Sequence, residues 1–336
     1  MLERGILYLS RGDIQQLGRS RPELYVQAVE DALRLHARRA FVQPLKPYLR
    51  WRGDENHVAD RIIAMPAYIG GDRPAAGLKW IGSKHDNPKL RGIERASALT
   101  ILNDVDTHFP IAILEGGLIS NYRTAAVTTV AARYLARTGF VSLACIGSGP
   151  IGQMQVSMLL GHFPQLRHVF LFDLDRAAAT RHAAALESSA PHVTVTLTQS
   201  AEAAVQSAEV VVTATVAQRP YLPFEWIQRG TFVSNVSIMD VEPDVFLKVE
   251  KLVVDDWDQC NREKKVIHQL VEAGLFRRQQ LHAELGEVVT GQRPGRESAD
   301  EIILLNPMGM AIEDIACARS VYNAALDEGV GTWLSR

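Results

Sequence analysis

The octapeptide C-I-G-S-G-P-I-G, Cys145 to Gly152, carries the spacing Gly-x-Gly-x-x-Gly, and its flanks limit the fold more than any other stretch of the chain. The bare spacing marks a tight turn and nothing more. Upstream, F-V-S-L-A-C-I (Phe140 to Ile146) is an apolar run of strand length; downstream, I-G-Q-M-Q-V-S-M-L-L-G-H has apolar residues at helical spacing. In a strand, turn and helix each glycine has a purpose. Gly147 turns the chain, Gly149 lets backbone approach a pyrophosphate, and Gly152 allows helix and strand to pack closely. The helix then offers free N–H groups and the positive end of its dipole to the phosphates.

A second strand, H-V-F-L-F-D, ends at Asp173, 21 residues beyond Gly152. A carboxylate there accepts hydrogen bonds from both adenosine ribose hydroxyls and repels a 2′-phosphate, which favours NAD over NADP, although Arg176 lies nearby. Further strand-like runs recur at Val193 to Leu197, Glu209 to Thr215, Thr231 to Val236 and Lys251 to Asp256. Their alternation with helical or turn segments predicts an α/β fold, a Rossmann-type doubly wound parallel sheet. The expected cofactor is NAD.

With 336 residues and 47% hydrophobic content, the chain has material for about two domains of ~150 residues each. Its 36 basic residues against 38 acidic ones give a formal charge of -2, so no global bias points to nucleic acid or to a membrane surface. Cys145, Cys260 and Cys317 are scattered, which argues against a disulfide framework and a structural zinc site, and no metal is expected. M-L-E-R-G-I-L-Y-L-S lacks the features of a secretory signal, and no run of ~18 apolar residues occurs. The expectation is a cytoplasmic protein. Thr290 to Asp300, T-G-Q-R-P-G-R-E-S-A-D, reads as the most flexible loop.

The nucleotide module begins only near residue 139, so the preceding segment has to build the substrate side. It holds a helix-like stretch from Pro22 to Arg39, then R-I-I-A-M-P-A-Y-I-G-G and A-G-L-K-W-I-G-S as strands, and an Ala-rich helix from Ile119 to Ala136. Lys79 lies in an apolar strand and Arg123 in the expected first turn of that helix. Such cations need partners. An anionic substrate is one reading, and a surface-edge lysine with a structurally paired arginine is the other.

The combination of G-L-K-W-I-G-S, S-N-Y-R-T-A-A, the central G-S-G-P-I-G and the closing N-P-M-G-M-A-I-E-D-I resembles the ornithine cyclodeaminase/mu-crystallin family over nearly the whole chain. The resemblance implies a homodimer. It implies a substrate-binding and dimerisation domain from residues 1–125 and 307–336, and an NAD-binding Rossmann domain from 126–306. It implies hydride transfer at a carbon bearing nitrogen. Lys79 and Arg123 map onto the family's carboxylate-gripping cations and Asp240, in S-N-V-S-I-M-D, onto its catalytic aspartate; without the family, Asp240 reads as an Asx turn or helix cap. Cofactor contacts are expected from Gly147, Gly149, Pro150, Ile151, Gly152, Asp173, Thr124, Thr213, Thr215 and Val236.

One departure bears on the subgroup. Ornithine cyclodeaminases and related alanine dehydrogenases continue the aspartate as D-x-P-G-K-x-E-L, whereas this chain reads D-V-E-P-D-V-F-L, with Asp244 at the lysine position. The stretches V-Q-P-L-K-P-Y-L-R, A-D-R-I-I-A-M-P, N-V-S-I-M-D and V-V-D-D-W-D-Q-C are similar to the 2-amino-2-carboxyethyl-glutamate dehydrogenases of 2,3-diaminopropionate synthesis, which supply siderophore and antibiotic pathways. That subgroup implies a tricarboxylate amino-acid substrate. A surplus of cations fits it: Lys79, Lys84, Lys89, Arg91 and Arg95 in one run, Lys46 and Arg50 in another. Lys46, Arg50 and Arg95 are the expected extra carboxylate ligands, while Lys84 and Lys89 also read as a solvated loop. Alternatives are an ornithine cyclodeaminase, alanine dehydrogenase or ketimine reductase, and a non-catalytic binder like mu-crystallin.

Overall fold

In the computed structural model, which describes residues 5–21, 23–51, 57, 60–262 and 265–335, the chain divides into two units, Met1–Arg123 with Gly309–Arg336, and Thr124–Met308. The second unit is built on a sheet whose strands run in the order Thr194–Leu197, His168–Phe172, Ser142–Ile146, Val210–Thr213, Phe232–Asn235, Ile303–Leu305, Lys251–Val254 and Ala283–Glu284. Every neighbouring pair is parallel. Several of these strands are buried at every position, as expected when helices cover both faces of a parallel sheet. Strand order reverses between Ser142–Ile146 and Val210–Thr213, and open α/β sheets bind ligands at the carboxyl ends of strands beside such a reversal.

All the strands expected after residue 139 are present, each trimmed by up to three residues. The sequence reading missed Ile303–Leu305. Its three residues are too short to show a period, yet they insert between Phe232–Asn235 and Lys251–Val254. The Thr290 to Asp300 loop is irregular but pinned: Arg296 donates to the Leu135 and Glu301 carbonyls, and Lys251 holds the Gly295 carbonyl and Glu297 at 2.6 and 2.7 Å.

The first unit contains a mixed eight-stranded sheet to which both ends of the chain contribute, Ile6–Leu9 pairing antiparallel with Thr332–Leu334 and parallel with Pro110–Glu115. Its centre is the meander Arg61–Ile69, Ala75–Ser83, Ala96–Asn103, Pro110–Glu115. Strand alternation sorts the side chains. Met65, Ala67, Lys79, Thr100 and Leu102 are buried on the face where the helix Ala311–Glu328 packs, while Tyr68, Trp80 and Leu99 stand exposed on the other face. The helix expected from Pro22 runs Leu24–Ala37, Pro22 itself lying outside the described residues. The helix expected from Ile119 begins at Gly116, because the Glu115 carboxylate accepts the Gly117 and Leu118 N–H groups at 2.9 Å each. Arg123 is therefore its eighth residue rather than a first-turn residue. Among the described residues no helix is long and apolar enough to cross a membrane.

Candidate active site

The glycine loop of the second unit has the geometry its spacing predicts. Gly147 adopts φ +105°, and a Cβ there would stand 2.7 Å from the Ala214 carbonyl oxygen. A Cβ at Gly152 would collide with the Gly147 carbonyl. At Gly149 it would meet nothing within 4 Å, so the space above the first turn of the helix Pro150–His162 is open to a ligand. Asp173, one residue past its strand, accepts from Ser148 N at 2.7 Å and Asp175 N at 2.8 Å, which fixes its carboxylate beside the loop with acceptor capacity left for hydroxyls. Arg176 turns away to the Thr198 carbonyl at 3.1 Å. Pro150 and Ile151 begin the helix. The Thr124 carbonyl accepts from Gln155, and the Val236 N–H donates to the Thr213 carbonyl.

Asp240 is fully buried. Thr215 Oγ1 donates to its carboxylate at 2.5 Å, Tyr221 OH at 3.2 Å and Thr215 N at 3.3 Å, while its own carbonyl takes the Tyr221 and Leu222 N–H groups. Burial pushes its pKa above the usual carboxylate range, against the pull of hydroxyl donors from Ser237, Thr215 and Tyr221. Such a group sits closer to a working neutral pH than a solvated aspartate does. The helix-cap alternative fails, because the N-cap of Pro243–Lys248 is Glu242, with no side-chain bond. Thr213 and Thr215, expected at the cofactor, spend their hydroxyls elsewhere: Thr215 on Asp240, and Thr213 on Asn235 and Ser237. Asp244 accepts from Lys248 Nζ at 2.9 Å and from Phe224 N, a structural use.

The first unit buries a cluster of charge. Lys79, 1% exposed, pairs with Asp314 Oδ2 at 2.7 Å; Arg123 Nε reaches Asp314 Oδ1 at 2.9 Å and its Nη1 reaches Glu313 Oε2 at 3.1 Å. Lys46, also buried, donates to the Gly309 carbonyl, and Ser120 Oγ lies 3.3 Å from Lys79 Nζ. Glu313 and Asp314 occupy the first turn of Ala311–Glu328, where the helix dipole favours negative charge. Desolvation lowers the Lys79 pKa to about 7, Asp314 opposing that fall and Arg123 adding to it. For Asp314, the upward push of burial is outweighed by Arg123 and Lys79, which hold it below its ordinary value. Lys79 is thus no surface-edge residue, and Arg123 is structurally paired. Three cations face two carboxylates, a formal excess of one positive charge among these five side chains.

Arg50 and Arg95 stand apart from that cluster. Arg50 is exposed and stacks over the Tyr48 ring at 4.8 Å, whereas Lys46 is buried with its ammonium on the Gly309 carbonyl, so the expected grouping of the two is corrected: they stand in different surroundings. With Arg61 and Lys84, both arginines line a cleft of about 390 Å³. Burial alone depresses the Arg95 guanidinium there. Lys84 is committed to Asp60 and Asp86, at 3.0 and 3.2 Å, and Lys89 is exposed. A larger cavity of about 830 Å³ in the same unit contains none of these residues.

The sequence reading overlooked Glu313, Asp314 and Tyr221. Two adjacent acids in an otherwise apolar first stretch, A-I-E-D-I-A-C-A, were the available signal for the first two; Tyr221 follows a proline and carried none.

The chain is 52% identical over 334 residues to the N-((2S)-2-amino-2-carboxyethyl)-L-glutamate dehydrogenase of Staphylococcus aureus (strain NCTC 8325 / PS 47), covering 99% of both chains. Among solved structures it is similar to the Thermococcus litoralis Δ1-pyrroline-2-carboxylate reductase in complex with NADH and L-proline (TM-score 0.90, 29% identity, 98% of this chain and 100% of that one). It is also similar to an archaeal alanine dehydrogenase dimer with bound NAD (TM-score 0.87, 31% identity, 98% and 99%). The model of the ornithine cyclodeaminase/mu-crystallin family matches residues 9–329, and the chain belongs to that family.

Proposed function

We propose that the protein is an NAD-dependent dehydrogenase that oxidatively hydrolyses N-(2-amino-2-carboxyethyl)-L-glutamate to 2-oxoglutarate and L-2,3-diaminopropionate, supplying a siderophore or a related natural product. The observation that carries the reading is the 52% identity, end to end, with a dehydrogenase of that substrate. The chemistry of the residues agrees with it. NAD, when bound, accepts the hydride lost from the glutamyl α-carbon. Gly149 leaves room for its pyrophosphate, Gly147 and Gly152 let the turn and the helix close into the loop that receives it, and Asp173 receives its ribose hydroxyls.

Hydride can leave only after the secondary amine has lost its proton. Asp240 is the group that takes it; the carboxylate then exchanges protons with the water that attacks the imine and with the departing amine. Thr215 and Tyr221 hold it in one orientation for this. The buried cations Lys46, Lys79 and Arg123, gathered around Glu313 and Asp314, support a grip on one substrate carboxylate. That carboxylate also restores the proton that Lys79 is close to losing. Arg95 and Arg50, in the smaller cleft, receive the carboxylates that a simple amino acid lacks. The working form is a homodimer that covers the exposed Tyr68, Trp80 and Leu99 face.

The test is steady-state kinetics of Arg95→Ala and Arg50→Ala. The Michaelis constant for the tricarboxylate should rise about tenfold or more in at least one of them, with NAD affinity held, a lost charge-assisted bond contributing roughly 1.5–3 kcal/mol. Unchanged constants in both would remove the cleft from substrate binding.

A further inference from the structure

One buried cation has no part in the mechanism above. Lys265 is 1% exposed, and its ammonium donates to the Pro307 carbonyl at 2.6 Å, the Ser237 carbonyl at 3.2 Å and Asn306 Oδ1 at 3.2 Å. The acceptors come from two separate stretches of chain. Ser237 lies three residues before Asp240, in the loop that leaves the strand Phe232–Asn235; Asn306 and Pro307 follow the strand Ile303–Leu305. Only a protonated amine supplies three donors from one atom, so the lysine clips the loop of Asp240 to the segment Asn306–Met308.

The contacts around it form a continuous polar chain. Asn306 Oδ1 also accepts from Asn235 Nδ2 at 3.0 Å, Asn235 Oδ1 accepts from Thr213 Oγ1 at 2.9 Å and Ser237 Oγ at 3.2 Å, and Ser237 opens the short loop that carries Asp240. On the far side, Asp255 accepts the Met308 N–H on both oxygens at 3.0 Å. These residues end the strands Val210–Thr213, Phe232–Asn235, Ile303–Leu305 and Lys251–Val254, at the sheet edge where open α/β folds hold ligands. A hydrophobic side chain of similar volume would be buried at less cost than an ammonium, and the use for which buried charge is best attested is fixing one arrangement over others.

We propose that Lys265 is a positioning residue for Asp240: its ammonium fixes the Ser237–Asp240 loop against the Asn306–Met308 segment and so sets where the Asp240 carboxylate stands. This rests on the reading of Asp240 as the proton-transfer group. The test replaces the lysine by Lys265→Met, which keeps most of its volume and removes all three donors. Turnover should fall about 10- to 100-fold, the scale on which a misplacement of order 1 Å acts, while the Michaelis constant and NAD affinity stay within about threefold. Amide hydrogen exchange should quicken at residues 237–240, at Asn306 and at Met308, and not across the rest of the unit.

Turnover within twofold of wild type overturns the proposal, as does faster exchange spread over the whole unit with NAD binding lost in step. Should Lys265→Met fail to fold, Asn306→Ala, which removes one acceptor and leaves the two carbonyls in place, decides: a three- to tenfold fall in turnover with the same local exchange pattern supports the clip, and unaltered exchange at 237–240 overturns it. Exchange and NAD affinity need no substrate. Absence of wild-type turnover on the tricarboxylate would therefore count against the assigned reaction, and unaltered local exchange against the clip.

Discussion

At Asp240 and Lys79 the same physical cause, burial, moves two pKa values toward each other, the carboxylate upward and the ammonium down to about 7. A proton acceptor has to be ionised, so kcat/KM should climb with pH through a value above the ordinary aspartate range. In Asp240→Asn that limb should vanish and turnover should fall by ~10²–10⁴, with NAD affinity retained; near-normal turnover removes Asp240 from the reaction. Lys79 holds an anion only while protonated, so binding weakens as pH rises through its folded value. The product 2-oxoglutarate, which has no amine of its own to titrate, reads this directly: its inhibition constant should rise above about pH 7 in the wild type and be pH-independent there in Lys79→Met. The sequence marked both residues, Lys79 by its apolar neighbours and Asp240 by its motif. It did not disclose what holds them, because the partner of Lys79 is Asp314, 235 positions away.

Among the elements, the strand, loop and helix around Cys145 to Gly152 were legible because every constraint on them is local: three glycines, one apolar run and one helical period lie within about twenty residues. The contrast between two of those glycines is testable. Gly149→Ala adds a methyl to open space and should leave the melting temperature within about 1–2 °C, while weakening NAD about tenfold or more where the pyrophosphate lies. Gly152→Ala drives a methyl into the Gly147 carbonyl and should lower both stability and NAD affinity. Equal behaviour of the two variants would contradict the assignment of roles. The helix Ala311–Glu328 was harder to read. Glu313 and Asp314 carry its charge into the interior, and only the folded sheet shows that Lys79 and Arg123 await them. Asp314→Ala strands both cations and should cost about 3–5 kcal/mol, read as a fall in melting temperature.

Seen whole, the molecule draws one sheet from both ends of its chain and leaves Tyr68, Trp80 and Leu99 uncovered on it. A sequence period of two marks such a face as a strand surface and does not say which side a helix will cover; that depended on where Ala311–Glu328 returns. Light scattering should give the mass of a dimer, and Leu99→Glu, at an exposed position, should shift it toward a monomer without loss of fold; a monomeric wild type would contradict that use of the face. The central claim concerns the reaction. Purified protein with NAD should form NADH on addition of N-(2-amino-2-carboxyethyl)-L-glutamate, in one-to-one proportion with 2-oxoglutarate and L-2,3-diaminopropionate. NADH formation with alanine, ornithine or proline, and none with the tricarboxylate, would contradict it.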